Sequence, residues 1–156
     1  MENTEYIIVG VVFVILVIGF WIIITNVERR QKKNIIDKLS QLGMLSKSSH
    51  KAYDYDFKLN EINYLVKFIF VGNIKELSFN SLRHWQIKDK KKNPMINPKG
   101  FELLEGNKVI IVYPAPKQIL KYINENEVVF VRPNEKCFDY YVYTENTIDE
   151  IKHLEV

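Results

Sequence analysis

The sequence predicts an α+β protein in which a single transmembrane helix precedes a domain built on one mixed sheet. Three observations predict it. Residues 6–25 read Y-I-I-V-G-V-V-F-V-I-L-V-I-G-F-W-I-I-I-T, without a charge. Residues 26–45 place apolar side chains at helical spacing behind a basic stretch. From Tyr53 onward, short runs of strand-forming residues alternate with turn residues. The expected element order is α-β-β-β-(α)-β-α-β-β-α.

At ~1.5 Å rise per residue, a helix over residues 6–25 spans ~30 Å, the thickness of a bilayer's hydrocarbon core. Lipid offers backbone amides no hydrogen-bond partner, so such a segment must be helical there. Tyr6 and Trp21 suit the two interfaces, where a ring with a polar tip is favoured. A secretory signal would start basic and carry an apolar run of ~7–15 residues before a small-x-small cut. Here the start is acidic (Glu2, Glu5), and Thr25-Asn26-Val27 offers no such cut. A helix apolar on every face needs a larger protein around it to be a core element. Gly10 and Gly19 lack the four-residue spacing of close-packing helix pairs. The span holds no ionisable residue, which argues against an ion path. The segment reads as a tether.

Charge sets the expected orientation. Arg29, Arg30, Lys32, Lys33 and Lys38 follow the span against Glu28 and Asp37, while two glutamates precede it. Lys and Arg beside a span prefer the cytoplasmic side. This places residues 1–5 outside and residues 26–156 in the cytoplasm, with Arg29, Arg30, Lys32 and Lys33 at the inner interface. One cysteine, Cys137, rules out an internal disulfide. No N-x-S/T sequon occurs. The Lys-, Asn- and Ile-rich composition is that of an A+T-rich coding sequence, an association with a bacterial cell membrane.

In residues 26–45, Ile35, Leu39 and Leu42, with Ile36 beside them, form one apolar stripe at helical period. Gly43 is the expected left-handed cap. The stripe is expected to pack on the following domain; the alternatives are a membrane surface or a partner helix. Residues 46–52 read as a polar linker.

The domain of residues 53–156 begins with three expected strands in a meander: Tyr53–Leu59, Tyr64–Val71 after a turn at Asn60–Asn63, and Lys75–Asn80 after the turn pair Gly72-Asn73. Ser81–Ile87 is expected to be a short helix capped by Asn80 and burying Leu82 and Trp85, and Asp89–Gly100 a loop. Val109–Tyr113, wholly apolar, is expected to be a central strand. Pro114-Ala115-Pro116 breaks it and opens an expected helix, Lys117–Asn124, burying Ile119, Leu120 and Ile123. Val128–Val131 and Cys137–Thr144 are further strands, and Thr147–Glu150 is a capping box for a last helix.

Few residues carry the pattern of a catalytic centre. His50, His84 and His153 lie far apart, with no ligand spacing among them, so no metal or other cofactor is expected. No Gly-x-Ser-x-Gly or glycine-rich phosphate loop occurs, and Cys137 reads as a small buried residue. Asp54, Asp56, Lys67 and Glu76 sit on or beside the first three strands. The expected order of helix, three strands, helix and strand resembles the core of restriction-endonuclease-like nucleases of the PD-(D/E)XK type. There an acid before one strand, and an acid two residues ahead of a lysine on the next, hold a divalent metal. Lys67 matches that lysine, but Leu65 stands where the acid is wanted, and Ser78 follows Glu76 where lysine is wanted. The resemblance implies a nuclease-like domain that has lost its chemistry and binds or acts on nucleic acid at the membrane.

Charge asymmetry supplies the other candidate. Lys88, Lys90, Lys91, Lys92 and Lys99 form a basic stretch broken by Asp89, whereas residues 134–156 are acidic. From residue 46 on, seventeen Lys and Arg face fifteen acids, a weak excess for a nucleic-acid binder. Anionic lipid headgroups beside the tether need less affinity, at ~1 kcal/mol per basic residue near the surface. The expected function is a membrane-anchored, non-catalytic interaction or scaffold domain. Its partners are the bilayer, anionic headgroups or a protein; nucleic acid is the alternative.

Overall fold

The computed structural model describes residues 2–89 and 93–154. Helix α1, Glu2–Leu42, runs for 41 residues without a break, a rod of ~60 Å at 1.5 Å per residue. The expected span and the expected second helix are therefore one element. Among the described residues of its first part the large side chains are exposed, Phe13, Leu16, Phe20 and Trp21 each by about two-thirds. Its last part is the opposite, with Ile35 and Leu39 buried and Ile36 and Leu42 packed beside them. The apolar stripe at 35–42 thus packs on the domain, as its spacing requires.

The helix stops at Leu42, where the Gly43 amide donates to the Leu39 carbonyl (3.0 Å). Gly43 is not the left-handed cap expected of it, since the glycines with positive φ are Gly72, Gly100 and Gly106. Its role is close approach: a Cβ there would overlap the Lys58 carbonyl oxygen and press on the Phe57 ring. Gly43→Ala is accordingly expected to destabilise the protein by about 1–3 kcal/mol, as overpacking does, although alanine is the better helix former. Chemical denaturation in detergent micelles measures this; unchanged or raised stability would contradict the close approach.

The domain carries two sheets, not the single sheet expected. The first has the order β1-β2-β3-β7-β11-β10 and the second β6-β5-β4-β8-β9. In chain order the strands are β1 Met44–Lys47, β2 Tyr55–Leu59, β3 Ile62–Phe70, β4 Glu76–Phe79, β5 Trp85–Lys88 and β6 Met95–Ile96. They continue with β7 Asn107–Tyr113, β8 Gln118–Asn124, β9 Glu127–Phe130, β10 Lys136–Cys137 and β11 Tyr140–Thr144. Short 3-10 helices cover Phe101–Leu103 and Ile148–His153. β1 takes the last two residues of the stretch read as a helix and the first two of the stretch read as a linker, and pairs antiparallel with β2.

The packing has three layers. One core lies between α1, the last 3-10 helix and the first sheet, and includes Ile35, Leu39, Phe57, Val66, Ile111, Tyr143 and Ile151. The second lies between the sheets and includes Ile69, Leu77, Phe79, Trp85, Phe101, Ile110, Tyr140 and Val142. β7 sits between parallel neighbours β3 and β11, covered on both faces. Its apolar run, Val109–Tyr113, needs that environment.

Four expectations are corrected here. The expected meander loses its third strand: β2 and β3 form a hairpin through Asn60 and Glu61, both at positive φ, with β1 on the other side of β2, but Gly72-Asn73 sends β4 into the second sheet. The Val71 amide is taken by the Tyr113 carbonyl (2.9 Å), and a tight Ile74-to-Gly72 bond (3.0 Å) turns the chain away. Ser81–Ile87 is not a helix; of the two side chains expected to be buried there, Trp85 is buried and Leu82 is exposed. The Ser81 hydroxyl accepts from the Arg83 and His84 amides, as an N-cap would, yet the bonds close a turn between β4 and β5. Lys117–Asn124 is β8, parallel to β4 and antiparallel to β9. The last helix is 3-10, and the Thr147 side chain makes no capping bond to it; its hydroxyl takes the Thr144 amide instead (2.9 Å). With a strand in place of the second helix, the element order of the nuclease core is absent.

Candidate functional site

β3 carries the sequence Y-L-V-K-F-I-F into the middle of the first sheet, and its lysine falls on the face turned towards the second sheet. Lys67 is only 9% exposed. Its ammonium donates to the Ala52 carbonyl at 2.5 Å and lies 5.5 Å from the centre of the Phe101 ring. Burial, which penalises the charged form, pushes its pKa below the usual lysine range; nearby Asp54 partly opposes this, while Lys99 adds to it. Lys67 opens onto a cavity of about 310 Å³ lined by residues 51–54 and 67–70, Ile96, Asn97 and Lys99.

Asp54 stands on the same cavity and is fully engaged. One carboxylate oxygen accepts from Lys32 of α1 (3.1 Å) and the other from the Phe68 amide (2.9 Å). The Lys32 ammonium also sits 4.9 Å from the centre of the Phe68 ring. Asp54 therefore ties the helix to the β3 strand. The four residues weighed for nuclease chemistry divide: Asp54 and Lys67 share the cavity, Asp56 accepts from the Tyr53 hydroxyl (2.9 Å), and Glu76 is in the second sheet. Glu76 holds Lys88 (2.8 Å) and Gln118 (2.6 Å). Burial pushes the Glu76 pKa up, but these two partners outweigh it and the net displacement is downward. Among the described residues no group of three or more His, Cys, Asp or Glu is placed to hold a metal ion.

The basic stretch also divides. Lys88 is held by Glu76 and the Tyr122 hydroxyl (3.0 Å), and these bonds push its pKa up. Lys99 is on the cavity wall. Lys90, Lys91 and Lys92 lie outside the described residues. Of the residues expected at the membrane interfaces, Tyr6, Trp21, Arg29, Arg30 and Lys33 are exposed on α1, and Lys32 is half-buried against Asp54.

The isolated groups read from the sequence have structural roles. His50 stacks on Tyr53 with ring centres 5.6 Å apart, and His84 is exposed and bonded to Ser81 (2.9 Å). Cys137 is buried, and burial pushes its thiol up to about 12, so it is held protonated at neutral pH. Sequence reasoning reached Lys67 and Lys99 separately but not their meeting, nor the part of Lys51. The available signal was a lone charge inside an otherwise apolar strand. No family model, curated protein or solved structure matches the chain.

Proposed function

We propose that the protein is a single-pass membrane-anchored protein whose two-sheet domain is a non-catalytic interaction module on the cytoplasmic face. One observation carries the reading. An 18-residue window of α1 has a mean hydropathy of 2.6, and none of it is covered by the rest of the protein. Burying a large apolar side chain is worth about 1.5–3 kcal/mol, so a run of such residues needs a cover. A bilayer supplies one of matching length. By length and composition α1 is long and apolar enough to cross a membrane. The basic residues Arg29, Arg30 and Lys33 beyond the apolar part support the cytoplasmic placement of the domain.

The reading as an interaction module is supported by how the domain uses its charges. Asp54, Glu76, Lys88 and Lys108 are committed to partners within the fold. Anionic headgroups recruited by the basic stretch, or a protein partner, are the ligands proposed for such a module.

Alkaline carbonate washing of membranes containing the full chain tests the anchor. Retention in the membrane fraction is expected, and release into the wash would remove the proposal. Protease added to sealed cells tests the orientation; protection of the domain is expected, and digestion would reverse it.

A further inference from the structure

The cavity beside Lys67 brings together three lysines from distant parts of the chain: Lys51 before β2, Lys67 on β3 and Lys99 after β6. They are not equivalent. Lys51 and Lys99 are on the rim, and among the described residues neither has a carboxylate partner. Lys67 is nine-tenths buried, and among the described residues one acceptor, the Ala52 carbonyl, meets its three N–H donors. Of the nearby acids, Asp54 is engaged by Lys32 and the Phe68 amide; Glu102, which does not line the cavity, stands 3.8 Å from Arg83 through one oxygen, while among the described residues its other, buried oxygen has no hydrogen-bond partner. Keeping an ammonium nine-tenths buried with a single neutral acceptor is costly. A site that does so gains most from an anion able to meet several point charges at once.

We propose that this cavity binds a phosphate monoester, with Lys67 as the inner ligand and Lys51 and Lys99 closing on the same group from the rim. Lysine binds phosphate as a point charge through rotatable donors, and a phosphate monoester offers about two negative charges and three acceptor oxygens near neutral pH. At about 310 Å³ the cavity falls at the lower end of small-molecule sites. The ligand is therefore phosphate on a small polar carrier, such as a polyol or a lipid headgroup. Both sources are within reach. Asp54 and Phe68 meet α1 at Lys32, seven residues beyond Thr25, which puts the cavity ~10 Å along the axis from the end of the apolar run. The proposal goes beyond the anchor and does not depend on it.

The test uses the full chain in phosphatidylcholine nanodiscs, read by the side-chain NMR signals of its lysines. Glycerol phosphate is titrated in one arm; in the other, phosphatidic acid replaces part of the phosphatidylcholine. Saturable displacement of the Lys67 signal is expected in at least one arm: glycerol phosphate alone assigns a soluble ligand, phosphatidic acid alone a lipid. Lys67→Met keeps the side-chain volume, removes the charge and is expected to weaken binding at least tenfold. Lys51→Ser and Lys99→Ser are each expected to weaken it several-fold, and Lys136→Ser, remote from the cavity, to leave it unchanged. If Lys67→Met does not fold, the rim variants carry the test. No displacement in either arm, or binding that survives Lys67→Met or both rim substitutions, would overturn the site. Loss of binding in protein that resists carbonate washing is a failure of the cavity alone; release by carbonate with binding intact is a failure of the anchor alone.

Discussion

Trp85→Ala is expected to cost about 3–5 kcal/mol, the range for emptying a large aromatic site in a close-packed core. Trp85 is fully buried between the two sheets. Its ring meets Phe79 and Tyr140 edge-on, with centres 5.5 and 5.4 Å away, and its indole N–H donates to the Leu82 carbonyl (3.2 Å). The Tyr140 hydroxyl donates to the same carbonyl at 2.9 Å. Removing the indole therefore opens a void and disturbs the turn that joins β4 to β5. Against a total of about 5–15 kcal/mol for a domain, that loss takes a large fraction of the stability. The denaturation midpoint measures it, with Trp85→Phe as the milder comparison. A loss below about 1 kcal/mol would mean that the sheets are not packed through this residue.

Leu39→Ala is expected to cost about 2–5 kcal/mol and to act on a different layer. Leu39 is fully buried where α1 crosses the first sheet, one turn from Ile35 and next to Lys38, which pairs with Asp149 at 3.2 Å. That pair is exposed on both sides, so it adds little; Asp54 with Lys32 and the apolar stripe do most of the docking. Weakening the stripe should free the last turns of α1 from the sheet before the sheets themselves separate. Amide hydrogen exchange distinguishes the two events: faster exchange is expected across residues 35–42, with β7 still protected. Uniform acceleration through both would show that helix and sheets open as one unit.

These two positions also show what the sequence made legible. Leu39 was readable, because the Ile35–Leu42 spacing has only one amphipathic solution. The charge-free stretch before Asn26 was readable as an apolar helix, which the rest of the protein leaves bare, and the apolar run Val109–Tyr113 of β7 as a strand covered on both faces. Trp85 was expected to be buried, but on a helix, because Asn80 reads as a helix cap; the structure instead uses the Ser81 hydroxyl to close a turn. β8 was read as a helix because Ile119, Leu120 and Ile123 suit that period, yet β4 would otherwise present an open edge. Pairing with β4 and β9 overrode local spacing. The division into two sheets turned on the Val71 amide choosing the Tyr113 carbonyl, a contact 42 residues away in the chain that no local pattern encodes. The lysine cavity was hidden in the same way. Lys51, Lys67 and Lys99 meet only once the two sheets are stacked.

The account rests on lipid covering the part of α1 that the protein leaves bare. The most direct measurement is collision of spin labels with oxygen and with a water-soluble nickel chelate, in nanodiscs and in a Cys137→Ala background. A label at Val14, in the uncovered stretch, is expected to meet oxygen freely and the chelate hardly at all; one at Lys33, exposed beside the domain, is expected to show the reverse. Ready access of the chelate to Val14 would place that stretch in water and contradict the account.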